Sequence, residues 1–338
     1  MTPIRPMAPE ERRAAALRRA QRRLGPVVEG FTPGIDPIFS PSAPDHVDGL
    51  AVVTCHYNFA GFDAPVRNLR RFLREMDAAG IPVYGSEIRL ANRAPAIDAA
   101  PRWNRYPVDA SYLLWQKEAA LNAIVARLPK SVRYVALVDA DVRFERADWV
   151  AASIAALQTA LAVQPFSEAV WTDQRGAVEF RRSAVAGAGL DRTWRAHPGF
   201  AWVIRRDFWS HGPGLYPWCL TGAGDVALAV ALACEDRDRL FDQATGERNH
   251  AIAAGWLSEV ARWKRGAKTA AVPGRIWHEW HGSRVDRRYP ERHLVNAEID
   301  VARHVELDED GLVRWTKAAP KKVREPVAKY FSQRKEDG

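Results

Sequence analysis

Cysteine is scarce in this chain of 338 residues, which contains only Cys55, Cys219 and Cys234. The three are odd in number and widely scattered, so a disulfide framework and a cysteine zinc cluster are excluded and a reducing, cytoplasmic setting is expected. Cys55 ends an apolar stretch and reads as a packing residue, and no Ser/His/Asp or Cys/His nucleophile arrangement is proposed. Long apolar runs are also missing. The longest, Val226 to Cys234, has nine residues, against the roughly 20 that span a bilayer. The opening Met-Thr-Pro-Ile-Arg-Pro has no apolar signal core, so neither secretion nor membrane insertion is expected. Repeats and low-complexity tracts are absent. So is a glycine-rich, Lys/Arg-bearing phosphate loop between Thr54 and Gly61, which counts against a nucleotidyltransferase without removing it as a rival.

What is present is ordinary globular composition, 47% hydrophobic and 27% charged, enough for one large domain or two intimately packed ones. The net charge of +8 sits at the ends. Residues 1–25 hold seven Arg against two Glu and residues 316–338 hold seven Lys or Arg against three acids, so the middle sums to −1. Basic ends suit an anionic partner such as DNA, and they equally suit solvated terminal helices.

Residues 9–24 read as an Arg-rich helix stopped by Gly25-Pro26, followed by a proline-punctuated connector to residue 48. A domain then runs from 49 to 304, with a first half to 145 and a second from 146, and residues 305–338 form a basic C-terminal extension. Within the domain the apolar runs 50–55, 81–88 and 134–138 alternate with helical patterns at 63–76 and 111–128. Further strands are expected at 169–172 and 200–204. Helices are expected near 147–162, 224–234, 250–264, 291–304 and 324–335. Continuous apolar strands between helices imply a mainly parallel, Rossmann-like α/β sheet covered on both faces. Ligands in such sheets bind beyond the carboxyl ends of the strands.

Directly after the strand 134–138 come Asp139 and Asp141. Alternation puts both carboxylates on one side, where they can bind a divalent cation, although a solvated strand-end turn gives the same three letters. Later, Trp277-His278-Glu279-Trp280-His281-Gly282 sets two imidazoles three residues apart. Neutral imidazole ligates manganese or zinc, and His281 is the favoured third ligand; either ring could instead be satisfied by ordinary hydrogen bonds. Arg284, Arg287, Arg288, Tyr289 and Arg292 follow as candidate phosphate contacts or as a solvated helix start. Asp225, preceded by Gly222 and Gly224, opens an apolar helix, where it serves either as a helix-terminal carboxylate or as a general base beside a substrate admitted by the glycines.

Taken in order, these segments resemble GT-A fold glycosyltransferases over about residues 49–295, especially the galactosyltransferase-like branch and its bacterial and phage relatives. Trp115 to Asn122 is similar to the Lys-x-x-x-Leu-Asn helix preceding the metal motif of that branch, and Asp139-Ala140-Asp141 to the motif itself. The resemblance implies that Thr54, Tyr57, Asn58, Glu87, Lys117, Asp139 and Arg288 bind a UDP-sugar. It implies that Asp139, Asp141 and His281 hold Mn2+ or Mg2+, and that Asp225 is the base of an inverting hexosyl transfer. Gly199 to Trp202 and Gly222 to Asp225 would then face the acceptor, with Trp171, Trp202 and Trp218 in its cleft. The branch often carries two or more acids after its glycines, whereas Asp225 here is followed by Val226. The acceptor is expected to be a glycan or a hydroxymethylated DNA base. The rival from another class is a non-catalytic protein that binds nucleotide-sugar or nucleic acid on a degenerate transferase fold.

Overall fold

The computed structural model describes residues 45–98, 100–186, 196–234, 238–283, 285–288 and 291–337. The Arg-rich helix expected at 9–24 and the start of the connector lie outside them. Chain order runs β1 (Leu50–Tyr57), α1 (Asp63–Ala78), β2 (Val83–Leu90), β3 (Trp103–Val108), α2 (Lys117–Arg127), β4 (Tyr134–Val138), β5 (Val142–Phe144) and α3 (Trp149–Ala156). Next come β6 (Ala162–Gln164), β7 (Glu168–Thr172), β8 (Val178–Ala184), β9 (Ala196–His197), β10 (Ala201–Arg205), α4 (Asp207–Ser210), α5 (Gly224–Ala233), α6 (Asp238–Thr245) and α7 (His250–Lys264). The chain closes with β11 (Thr269–Ala271), β12 (Arg275–His278), α8 (Glu291–Ala297), α9 (Val301–His304), the hairpin strands β13 (Val305–Leu307) and β14 (Val313–Trp315), and α10 (Lys321–Gln333).

The seven-stranded central sheet has the order β11-β6-β10-β4-β1-β2-β3. It is parallel except at β10, which runs antiparallel to both neighbours, so the expected mainly parallel α/β architecture is present. Alternation along the strands explains its two covered faces. Ala51 and Val53 of β1, with Val135 and Leu137 of β4, pack against Leu121, Ile124 and Val125 of α2 and the apolar helix α5. Leu50, Val52, Ala136 and Val138 point the other way, against Leu69, Phe72, Leu73 and Met76 of α1, which repeat at helical spacing.

A second sheet, β5-β12-β7-β8-β9, was foreshadowed in the sequence only by its strand at 169–172. Its strands are short or half-exposed, as in β8, whose pattern of Val178, Glu179, Arg181 and Ser183 carries little apolar signal. Tertiary bonds also reset three expected helices. The run from Ser111 breaks before Lys117, because Trp115 N donates to Leu220 O at 2.9 Å and the Gln116 amide bridges Tyr112 O and Val313 O. The helix expected to reach 162 stops at Ala156, since Leu161 N pairs with Lys268 O and β6 joins the sheet. The one expected across 291–304 splits where Asn249 takes Val301 N and donates to Ile299 O, both at 3.0 Å.

Residues beyond 304 pack as part of the same body. Val313, Trp315, Val323, Val327, Tyr330 and Phe331 form a core with Leu114, Ala119 and Leu220, which brings the chain's last residues alongside the carboxyl ends of β1 and β4. Among the described residues no helix is long and apolar enough to cross a membrane.

Candidate metal centre and donor cleft

β1 and β4 end side by side, and a cleft opens past them. It is lined by Thr54, Tyr57 and Asn58 after β1, Lys117 at the start of α2, Asp139 and Asp141 after β4, and His281. Seven of the residues singled out in the sequence therefore share one cavity. Asn58 is spoken for locally, its Oδ1 accepting from Gly61 N and Phe62 N at 3.0 and 2.9 Å.

The two carboxylates after β4 have different partners. Asp139 forms an ion pair with Lys117 Nζ, and its amide donates to Phe200 O at 2.9 Å. Asp141 turns towards the imidazoles. Its Oδ2 lies 2.9 Å from His281 Nε2 and 3.7 Å from His278 Nε2, and the two Nε2 atoms are 3.2 Å apart. The second sheet creates this meeting: β5 follows Asp141 at once and pairs antiparallel with β12, matching Val142 to His278. Three ligand atoms from Asp141, His278 and His281 thus fall within 4.8 Å of one another. Asp141 Oδ1 is buried with no hydrogen-bond partner among the described residues, so a ligating oxygen is left over. Two imidazoles and a carboxylate suit a borderline divalent ion, and the residues fit such a group.

Electrostatics agree with the geometry. Burial alone would raise Asp141, yet His278, His281 and Arg287 outweigh it and hold the carboxyl well below the usual range. Burial pushes His278 well down, so that ring is neutral. His281 goes the other way: burial and Arg287 oppose its proton, but Asp141 on one nitrogen and Glu336 on the other hold it. Lys117 remains a cation because Asp139, Asp225 and Glu118 outweigh its burial.

A smaller cavity adjoins the cleft through Lys117, Leu121 and Asp139, and contains Glu118, Gly199, Phe200, Trp202, Gly224 and Asp225. The Asp225 carboxylate lies against Gly199, where an added Cβ would fall 2.6 Å from Oδ2. Phe200 and Ala223, with φ of 69° and 80°, adopt the left-handed backbone beside Asp139 and Asp225; such strain is held only where the surroundings enforce it.

No protein-family model matches the sequence, and no curated protein matches it. Among solved structures, the chain is similar to the catalytic domain of Drosophila beta1,4-galactosyltransferase 7 in complex with xylobiose, at 12% identity and a TM-score of 0.31 over 54% of this chain and 59% of that one. It spans about three fifths of that structure. It is also similar to glucosyl-3-phosphoglycerate synthase from Mycobacterium tuberculosis with Mn2+, UDP and phosphoglyceric acid, at 12% identity and a TM-score of 0.37 over 81% and 90% of the two chains. A third is mannosyl-3-phosphoglycerate synthase from Rubrobacter xylanophilus, at 11%, 0.39, 79% and 85%.

Arg287, named from sequence as a phosphate contact, instead joins the imidazoles, its Nη1 2.7 Å from His281 Nε2 and 3.4 Å from His278 Nε2; the remaining residues named from sequence lie elsewhere. Glu87 is buried on β2 and accepts from Ala96 N at 2.6 Å, tying down the following loop. Arg288 donates to Gln333 Oε1. Trp171 is buried in a ring stack with Phe180, Phe200 and His278, and Phe200 lies parallel to the His278 imidazole at 5.0 Å. Gly222 packs over Trp115, and Trp218 lies against the cores flanking α2. Arg284 and Tyr289 lie outside the described residues. Two participants were not assigned from sequence: His278, whose signal was its three-residue spacing from His281, and Glu336, which carried no signal at all.

Proposed function

We propose that this chain is a metal-dependent glycosyltransferase that moves a hexose from a UDP-sugar to an acceptor hydroxyl with inversion. The observation carrying this reading is the convergence of Asp141, His278 and His281 beside the Lys117–Asp139 pair, in a cleft that shares Lys117, Leu121 and Asp139 with the cavity of Asp225. Two nitrogen ligands and one oxygen favour Mn2+ over the harder Mg2+. Asp141, His278 and His281 would hold a divalent ion, which would supply charge neutralisation for a departing diphosphate.

The chain's own residues account for the rest. Lys117, kept cationic, adds a second positive charge beside the leaving group. Asp225, across Lys117 and Asp139 from the metal ligands, accepts the proton of the acceptor hydroxyl. That oxygen then bonds to the anomeric carbon as the bond to the diphosphate oxygen breaks, so UDP departs from the opposite face. A saccharide is the acceptor class we favour, because Trp202 and Phe200 give the second cavity aromatic walls.

The test is UDP release from a panel of UDP-sugars, with and without Mn2+, comparing the intact protein with Asp141→Ala and adding saccharide acceptors in turn. Metal-dependent release that disappears in the variant supports the reading. Full activity in Asp141→Ala removes its foundation.

A further inference from the structure

The C-terminal segment after α10 does not trail into solvent. Lys335 N donates to Asp286 O at 3.1 Å, and the Asp337 carboxylate accepts from Asp63 N and Ala64 N at 3.0 and 2.6 Å, covering the free amides at the start of α1. Its backbone presses on Gly282, where an added Cβ would fall 2.2 Å from Lys335 O. Phe331, Arg334 and Glu336 thereby form one wall of the cleft. Arg334 lies over the Trp115 ring at 5.7 Å and pairs through Nη2 with Glu336 Oε1 at 2.6 Å. The other Glu336 oxygen, Oε2, lies 3.1 Å from His281 Nδ1.

We propose that Glu336 is the positioning residue of the metal centre, an inference that rests on the Asp141, His278 and His281 site. An ionised carboxylate can only accept, so the ring must donate its Nδ1–H to Glu336, which leaves the Nε2 lone pair on the side of Asp141 and His278, where in this structure it accepts from Arg287 Nη1 at 2.7 Å and where an ion would take that donor's place. Arg334 holds the carboxylate in place from its other side. Glu336 acts on the ion through His281: it fixes the tautomer and plane of the ring and raises the basicity of the ligating nitrogen. Residues at the very end of the chain are thus part of the centre built after β4 and β12.

The experiment is calorimetric titration of the full-length protein with Mn2+ alone, in wild type, Glu336→Ala, Glu336→Gln and Asp337→Ala. Loss of an outer carboxylate partner weakens metal affinity by about 10–100-fold, and that is the result expected of Glu336→Ala. Glu336→Gln, which keeps an acceptor and loses the charge, is expected to fall between it and wild type. Asp337→Ala, which loosens the segment and leaves Glu336 intact, is expected to bind as wild type does. Wild-type affinity in Glu336→Ala overturns the proposal; if that variant does not fold, wild-type affinity in Glu336→Gln does so instead. A loss in Asp337→Ala as large as in Glu336→Ala overturns it too, by showing that docking of the segment is all that matters. No Mn2+ binding by the wild type would bring down the metal reading itself, and this inference with it.

Discussion

His278 Nε2 and His281 Nε2 lie 3.2 Å apart, too close for both to carry protons at ease. The conflict is resolved if His278 stays neutral and His281 gives up its Nε2 proton to an ion. His281 has a pKa raised above 6.5, the carboxylates of Asp141 and Glu336 overcoming burial and Arg287. Its protonated form therefore stabilises the metal-free fold at low pH, and that contribution is lost as pH rises through the folded-state pKa. Metal competes with the same proton. Mn2+ affinity should rise about tenfold per pH unit while one proton is displaced, and flatten above the pKa of His281. Titration calorimetry at pH 6, 7 and 8 checks this; a flat profile would mean that His281 is not a ligand.

Phe200 stacks on His278 and also accepts the amide of Asp139, so one residue steadies both sides of the cleft. Phe200→Ala removes the stack and part of an aromatic cluster worth about 3–5 kcal/mol when a buried phenylalanine is truncated. We expect lower thermal stability together with weaker Mn2+ binding. Urea unfolding and calorimetry on the same preparation measure the two effects, and a loss of stability with unaltered Mn2+ affinity would show that the stack does not orient His278.

Asp225 is the test of chemistry as distinct from metal binding. Asp225→Asn keeps size and packing but removes the basic oxygen, so kcat should fall by about 10²–10⁴-fold, while Mn2+ affinity stays as in wild type. Gly199→Ala should act in the same direction less strongly, since its Cβ would meet Asp225 Oδ2 at 2.6 Å and must displace it. If Asp225→Asn turns over normally, its carboxylate serves only the start of α5.

What could be read from the sequence follows the physical strength of each signal. β1, β4, α1 and α5 were legible because they are fully apolar or strongly periodic and face large cores on both sides of the sheet. The pairing of Asp139 with Lys117 and of Asp141 with His281 was half legible, since a strand end and a helix start advertise themselves while their partners do not. The second sheet was nearly silent: β5 and β9 have three and two residues and β8 is half-exposed, yet β5 and β12 are what bring His278 to Asp141. Glu336 was silent altogether, because 55 residues separate it from His281 and they become neighbours only through tertiary contacts, the packing of Tyr330 and Phe331 and the hydrogen bonds of Lys335 and Asp337.

Gly224 shows how closely the start of α5 approaches α2. An added Cβ there would fall 2.1 Å from the Glu118 carboxyl carbon, and Glu118 is itself held in the first turn of α2. Gly224→Ala should cost about 1–3 kcal/mol through overpacking, although alanine is the better helix former in the abstract. Chemical denaturation checks the sign; a stabilised variant would mean that Glu118 swings away freely.

Glu118 also sets a pH dependence. Burial raises its carboxyl from 4.5 to about 7, with Asp225 and Asp139 adding to the effect and Lys117 opposing it. Because the folded-state pKa lies above the unfolded one, the folded chain binds more protons between these values, and stability is lost as pH rises from about 4.5 to 7. A shift of that size corresponds to about 3 kcal/mol. Glu118→Gln cannot titrate, so its stability relative to wild type should increase by about that amount between pH 4 and pH 8, read from urea unfolding of both proteins at each pH. Parallel curves for the two proteins would mean that Glu118 ionises in the fold as easily as in the open chain, and that its carboxyl is not confined beside Asp225.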